Sequence, residues 1–489
     1  MRAAQFLLRS LRRQPHLLRS RSFATQSTPA PAAARRLIQL AGTVVFAGCA
    51  GYTALDLEKR FSQREQPGSL LSVPSIPDVA SASDIEVATP VKALSLEEAN
   101  AKLRQEVRSL TFETKDGAKG RVDSLRIASN DPVEDELAVG IAKGVDGQSN
   151  LFVGVYDGHA GWATSSLLTK TLIPYVSAGL QPLESSSSGD AIDDAIKRSF
   201  ISLDKRIDEI AIAAIEKTDS PLSAEAIAAV APAAAGSCAL LTIYDPRASI
   251  LRTAVAGDSR AVLGSWSASE GCYGAKELSK DQTGFNVAEK ERIAREHPNE
   301  DISKLINAES GRLLGIAITR AFGDNRWKWS EETLKKAQAQ GLISALRPNY
   351  VSPPYITAEP EVTAVKVQTE DFAILASDGL WDVMSSEDAV KCVSLWLDAK
   401  RRPGKAPPSI AGPGTETQLE RDAEDWPTWK ATPENFVIED LDNAAVCLVK
   451  NAFGGTRREL FRGVMTAHSP MSRNVRDDVT VQVIFFAEP

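Results

Sequence analysis

The sequence predicts an α+β fold in which strands and helices stack in layers. Three observations lead there. Short Val/Ile/Leu runs of strand length recur along the chain. Segments with apolar residues at i, i+3, i+4 and i+7, the spacing of a one-sided helix, stand between and after those runs. Several runs are joined by short turns, which suits hairpins better than a strict strand–helix–strand repeat. No internal repeat is visible.

The strand candidates are 151–157 (LFVGVYD), 238–245 (CALLTIYD), 250–258 (ILRTAVAGD), 261–266 (AVLGSW), 372–378 (FAILASD) and 479–486 (VTVQVIFF). Near-continuous apolar runs of this kind expect burial on both faces. Helices are expected over 162–176, 190–217, 287–297, 385–398 and 441–453. The stretch PLESSSSGD reads as flexible. The polar, Pro- and Gly-rich segment near 400–432 reads as a surface insertion.

The N-terminal region is different in kind. No acid precedes Asp56, while Arg2, Arg9, Arg12, Arg13, Arg19 and Arg21 crowd the start. Leu and Phe residues alternate with these arginines at helical spacing. Residues 1–23 are therefore expected to form a mitochondrial transit peptide, cut after Phe23. Residues 37–55 are uncharged and only moderately apolar, near the minimum length for a membrane span; they are a candidate inner-membrane anchor. Residues 56–93 read as a Ser-, Pro- and Ala-rich linker, and the folded body is expected to run over 94–489.

The chain of 489 residues carries 56 Lys plus Arg against 64 Asp plus Glu. With the basic start set aside, the body is strongly acidic. That argues against nucleic acid as a partner and suits a protein that gathers carboxylates around cations. The five cysteines are scattered with no CxxC pair, so they read as reduced thiols rather than a disulfide frame or zinc site.

Aspartates stand at the strand ends. Asp157 follows VGVY, Asp258 follows AVAG, Asp378 follows ILAS, and Asp477 and Asp478 precede VTVQ. Like charges gathered at one sheet edge repel unless neutralised. Oxygen-only ligands without a Cys cluster or paired histidines point to Mg2+ or Mn2+. Gly158 and Gly379 allow close backbone approach, and Gly158 can offer its carbonyl. His159, one of four histidines, would stand beside the ions as a proton donor.

In this order VYDGHAGW, AVAGDSRAVLG, TRAFGD, LASDGLWDVMSSEDAV and RDDVTVQVI resemble the metal-dependent serine/threonine protein phosphatases of type 2C, over roughly 105–487. The resemblance implies a central antiparallel β-sandwich flanked by helices, with two Mg2+ or Mn2+ ions at one end and a weaker third. It implies Asp157 as the bridging ligand, the Gly158 carbonyl on one ion, Asp378 and Asp477 on the second, and Glu134 holding a metal-bound water. His159 matches the general acid, and Asp258 and Asp382 match the third-ion positions. The implied reaction is in-line attack by metal hydroxide on a phosphoserine or phosphothreonine protein, with no phospho-enzyme.

One position departs from the pattern. Many relatives carry a phosphate-gripping arginine four residues before the glutamate, and here that position is Asn130. An asparagine there, with the long stretches 289–330, 350–362 and 441–455, resembles one branch, the mitochondrial pyruvate dehydrogenase phosphatase catalytic subunits. That implies the E1α subunit as substrate. Arg320 in TRAFGD is a candidate contact for phosphate or peptide, with a structural salt bridge as the alternative. Trp327 and Trp329 are expected to pack, and His297 and His468 to lie at the surface. Two other readings stand: another mitochondrial phosphoprotein substrate, and a binding module of the same fold with weak or lost catalysis.

Overall fold

Strands that are apolar on both sides need cover on both sides, and two sheets packed face to face under helices provide it. The computed structural model describes residues 91–113, 119–218, 220–344, 347–402, 419–421 and 427–489. The transit peptide, the 37–55 segment, nearly all of the linker and most of the 400–432 insertion lie outside these residues. Among the described residues no helix is long and apolar enough to cross a membrane.

In chain order the first strands are β1 (Val107–Glu113), β2 (Lys119–Ile127), β3 (Glu136–Lys143), β4 (Ser149–Tyr156) and β5 (Gly158–His159). Then come β6 (Gly236–Ser237), β7 (Ala239–Asp245), β8 (Ile250–Ala256), β9 (Arg260–Ser267), β10 (Cys272–Glu277) and β11 (Phe322–Gly323). The last are β12 (Glu361–Lys366), β13 (Phe372–Ala376), the short pair β14 (Glu420–Arg421) and β15 (Pro427–Thr428), and β16 (Val479–Phe485). One sheet runs β1-β2-β16-β13-β9-β10 and the other β12-β8-β7-β4-β3. Every pairing in both is antiparallel.

Between the sheets lies a layer that includes Val153, Val155, Leu240, Val255, Leu263, Leu375 and Ile484. The outer face of the first sheet packs on the Ser386–Arg401 and Ala444–Ala452 helices through Trp396, Leu448 and Phe485. The second sheet packs on the Ala163–Leu180 and Gly189–Lys217 helices through Phe152, Leu172 and Phe200. Each such side chain, fully buried, contributes about 1.5–3 kcal/mol. Two of these helices start at serine caps: Ser188 accepts from the Ala191 N–H and Ser385 from the Asp388 N–H.

All six strand candidates are present, as are the five helices. The strands that apolar runs did not reveal are mostly edges. β1, β10, β12 and β3 close the two sheets, carry Lys, Arg or Glu, and are half exposed, as edge strands that resist further pairing are. β2 is interior, but its run is broken by Arg121 and Asp123. Asp123 is fully buried and satisfied by Arg121 Nε at 2.6 Å, Ser109 Oγ at 2.7 Å and the Ala444 N–H at 2.8 Å.

Trp327 and Trp329 are buried as expected, but His297 is not a surface residue. Its ring stacks on Tyr355 at 4.6 Å and its Nδ1 meets Ser352 Oγ at 2.8 Å, so packing takes it inside. The described cysteines, Cys238, Cys272, Cys392 and Cys447, are free thiols.

Candidate active site

Register alone brings the acidic strand ends together. β4 and β8 both pair antiparallel with β7, so they run the same way and end on the same side, at Asp157 and just before Asp258. β3 begins at that side, with Glu136 opposite Tyr156, which places Glu134 and Asp135 beside Asp157. In the other sheet β13 leaves its edge as β16 enters, with Ala376 opposite Val481, so Asp378 and Asp477 share that edge. β2 ends there too, with Ile127 opposite Val479, which delivers Ser129 and Asn130.

Carboxylate oxygens of Asp157, Asp258 and Asp378 lie within 4.8 Å of one another. Burial raises the pKa of Asp157 to about 6, with the Asp258 charge pushing the same way. Asp477 rises to about 8 through burial, against the pull of Arg473 and with a further push from Asp157. Burial likewise raises Glu134, Asp135, Asp258 and Asp378. Within this crowd Asp378 Oδ1 and Asp135 Oδ2 are buried with no hydrogen-bond partner. Orphaned carboxylate oxygens beside like charges fit a hard divalent cation, whose charge would remove both penalties.

The loop that carries Glu134 is pinned by Asp478. Its Oδ1 accepts from the Asn130 N–H at 3.0 Å and Ser129 Oγ at 3.0 Å, and its Oδ2 from the Glu134 N–H at 2.8 Å. Gly158 lies so close to this loop that an added Cβ would stand 2.2 Å from the Glu134 carbonyl oxygen.

A small sheet, β11-β6-β5, builds the second half of the site. It sets His159 beside Asp324, with Nε2 to Oδ2 at 2.6 Å. Burial disfavours the charged ring, but Asp324 outweighs it and the pKa of His159 rises. A ring whose charged form is favoured in this way can chemically serve as a proton donor. Gly236 makes room for the pair, since a Cβ there would stand 2.1 Å from Nε2 and 2.3 Å from Oδ2. Gly236→Ala is therefore expected to split the pair and cut turnover about 100-fold with the fold retained, checked by steady-state kinetics beside circular dichroism.

Comparison with known proteins gives the geometry a family. The model of the protein phosphatase 2C family matches residues 129–418. The chain belongs to the protein phosphatase 2C family. It is 37% identical over 399 residues to a protein phosphatase 2C homologue of Schizosaccharomyces pombe, covering 79% of this chain and 84% of that one. It is 35% identical over 404 residues to the mitochondrial [pyruvate dehydrogenase [acetyl-transferring]]-phosphatase 1 of Saccharomyces cerevisiae, covering 75% and 69%. With the human mitochondrial [pyruvate dehydrogenase [acetyl-transferring]]-phosphatase 2 it shares 29% over 427 residues, covering 75% and 78%.

In this type 2C phosphatase the predicted site residues fall into two groups. Glu134, Asp157, Gly158, His159, Asp258, Asp378 and Asp477 meet at one edge of the sandwich. Asp382 sits one helical turn beyond Asp378, exposed, its N–H bonded to the Asp378 carbonyl at 2.8 Å. Asn130 turns its amide to Glu134 Oε2 at 2.9 Å. Arg320 is committed elsewhere: its Nη2 donates to Glu289 Oε1 at 2.6 Å and its Nη1 to the Glu359 carbonyl at 2.8 Å. That geometry is a structural salt bridge, one of the two readings the sequence leaves open for Arg320.

Sequence reasoning missed Asp324, Gly236 and Arg473 as site residues. Asp324 ends TRAFGD, and its place beside His159 was not visible because two-residue strands leave no periodic signal. Arg473 stands four residues before Asp477, a spacing that could have marked it.

Proposed function

We propose that this chain is a Mg2+- or Mn2+-dependent mitochondrial serine/threonine phosphatase acting on the phosphorylated E1α subunit of pyruvate dehydrogenase. The observation that carries the chemistry is the carboxylate cluster with its unpartnered buried oxygens at Asp378 and Asp135. The substrate and compartment rest on the names of the budding yeast and human relatives, and on the acid-free, Arg-rich start.

In this reading Asp157, the Gly158 carbonyl, Asp378 and Asp477 would hold the two ions. Glu134 would order water beside them, and Asp258 with Asp382 would offer a weaker third place. Divalent cations, when bound, supply Lewis acidity that acidifies the attacking water and shields the charge of the phosphoryl group. The protein's own part is to orient that water through Glu134 and to return a proton. His159, whose charged form Asp324 favours, gives its proton to the departing serine or threonine oxygen as the P–O bond breaks.

A second substrate reading has one observation in its favour. The fission yeast relative, at 37% identity, bears a family name without a substrate. The deciding experiment assays phosphate release by the full chain from phosphorylated E1α and from an unrelated phosphoserine protein, with Mg2+, Mn2+ or EDTA. The proposal expects metal-dependent release that strongly favours E1α. Metal-dependent release without preference would move the substrate elsewhere.

A further inference from the structure

Asn130 leaves a chemical problem that the rest of the site poses sharply. A phosphate dianion must enter beside Glu134, Asp157, Asp378 and Asp477, all acids. Two cations would offset part of that charge, but the oxygens facing away from them still need donors. An asparagine amide already spent on Glu134 at 2.9 Å supplies no charge.

The nearby arginines differ in what holds them. Arg260 forks onto Asp281, with Nε at 2.9 Å and Nη2 at 2.6 Å. Arg476 is buried, with its guanidinium over the Phe453 ring at 5.7 Å. Arg473 is placed otherwise. It stands on the Met471–Asn474 turn, which Ser472 ties to the Ser129 carbonyl. Its side chain is 18% exposed, its Nη1 contacts Asp477 and lies 3.5 Å from Ser129 Oγ. Ser129 is the residue next to Asn130. The fields of Glu134, Asp478 and Asp378 all act on Arg473.

We propose that Arg473 supplies the phosphate-gripping guanidinium of this enzyme, delivered from the segment before Asp477 instead of from position 130. A guanidinium carries five N–H donors on one plane, so holding Asp477 through Nη1 is compatible with binding a phosphate oxygen on the same group. Asn130 is then a spacer: its short side chain steadies Glu134 and leaves room for the guanidinium that comes from the segment leading into the neighbouring strand β16.

The inference rests on the phosphatase reading, and its test separates the two. Inorganic phosphate binding to the Mn2+-loaded full chain is measured by calorimetry, independently of any turnover. Mn2+ affinity is measured without phosphate. Arg473→Ala is expected to weaken phosphate binding about tenfold or more and to raise the KM for phosphoprotein, while Mn2+ binds at least as tightly. Arg473→Lys keeps Asp477 compensated should the alanine variant fold poorly. It is expected to hold Mn2+ as wild type does and to bind phosphate severalfold more weakly, because the planar fork is gone. Phosphate affinity within twofold of wild type in both variants would overturn the proposal and leave Arg473 as a mere shield for Asp477. If the wild-type chain binds phosphate through Arg473 yet releases none from phosphoproteins, the function reading fails and this one stands.

Discussion

Replacing Asp157 with asparagine is expected to abolish phosphate release and, at the same time, to raise the melting temperature of the metal-free protein. The two effects share one cause. Asp157 is 5% exposed and faces Asp258, and its pKa is raised from 3.8 to about 6. The unfolded chain gives up this proton near pH 4, whereas the folded chain keeps it until about 6. The folded state is therefore penalised progressively as pH climbs from about 4 to 6, and fully above that. A shift of that size corresponds to about 3 kcal/mol at pH 7.5. Asparagine keeps the shape and removes the charge, so the variant should melt several degrees higher in EDTA at pH 7.5. Near pH 4 the gain should vanish. Activity should fall by at least about a thousandfold, since the residue proposed to hold both ions is lost. An active variant, or one no more stable than wild type without metal, would contradict the carboxylate-crowding account.

The second large effect is expected at the proton donor. His159→Ala should slow release from phosphoserine by about 100- to 10,000-fold, the usual worth of a general acid. Aryl phosphates, whose leaving groups need no proton, should lose far less. Asp324→Asn tests the partner. The Asp324 carboxylate is what lifts the pKa of His159 against the effect of burial. Without that charge the imidazolium loses its proton at lower pH. The basic limb of the pH–rate profile should accordingly move down, with turnover on phosphoserine reduced at neutral pH. Equal losses on both substrate types, or an unmoved basic limb, would argue against these roles.

Much of this architecture is legible in the chain because its decisive strands are buried on both faces. VGVY, AVAG, ILAS and VTVQ reveal themselves as apolar runs, and the aspartates at their ends stand out for that reason. The edges stay hidden: β1, β3, β10 and β12 are half polar, and short polar segments look alike whether paired or not. The same limit applies to the site. Asp157 and Asp378 can be read as ligands from a strand and its end. The contact of His159 with Asp324 cannot, because 165 positions separate them and the strands that join them are two residues long. Arg320 shows the same limit. Its motif leaves a phosphate contact and a salt bridge open, and the structure pairs its guanidinium with Glu289 on the Val287–Glu296 helix. Tertiary partners decide which arginine is available, and sequence spacing does not display them.

The most direct test of the whole account is Mn2+ uptake by the full-length chain after stripping with EDTA. Titration calorimetry at pH 7 in buffers of different ionisation enthalpy reads both ions bound and protons released. The account predicts at least two Mn2+ per chain, with proton release because Asp477 titrates at about 8 without metal. Asp157→Asn should lose most of that uptake. A folded protein that takes up no Mn2+ at millimolar concentration, or an Asp157→Asn variant that binds as wild type does, would contradict it.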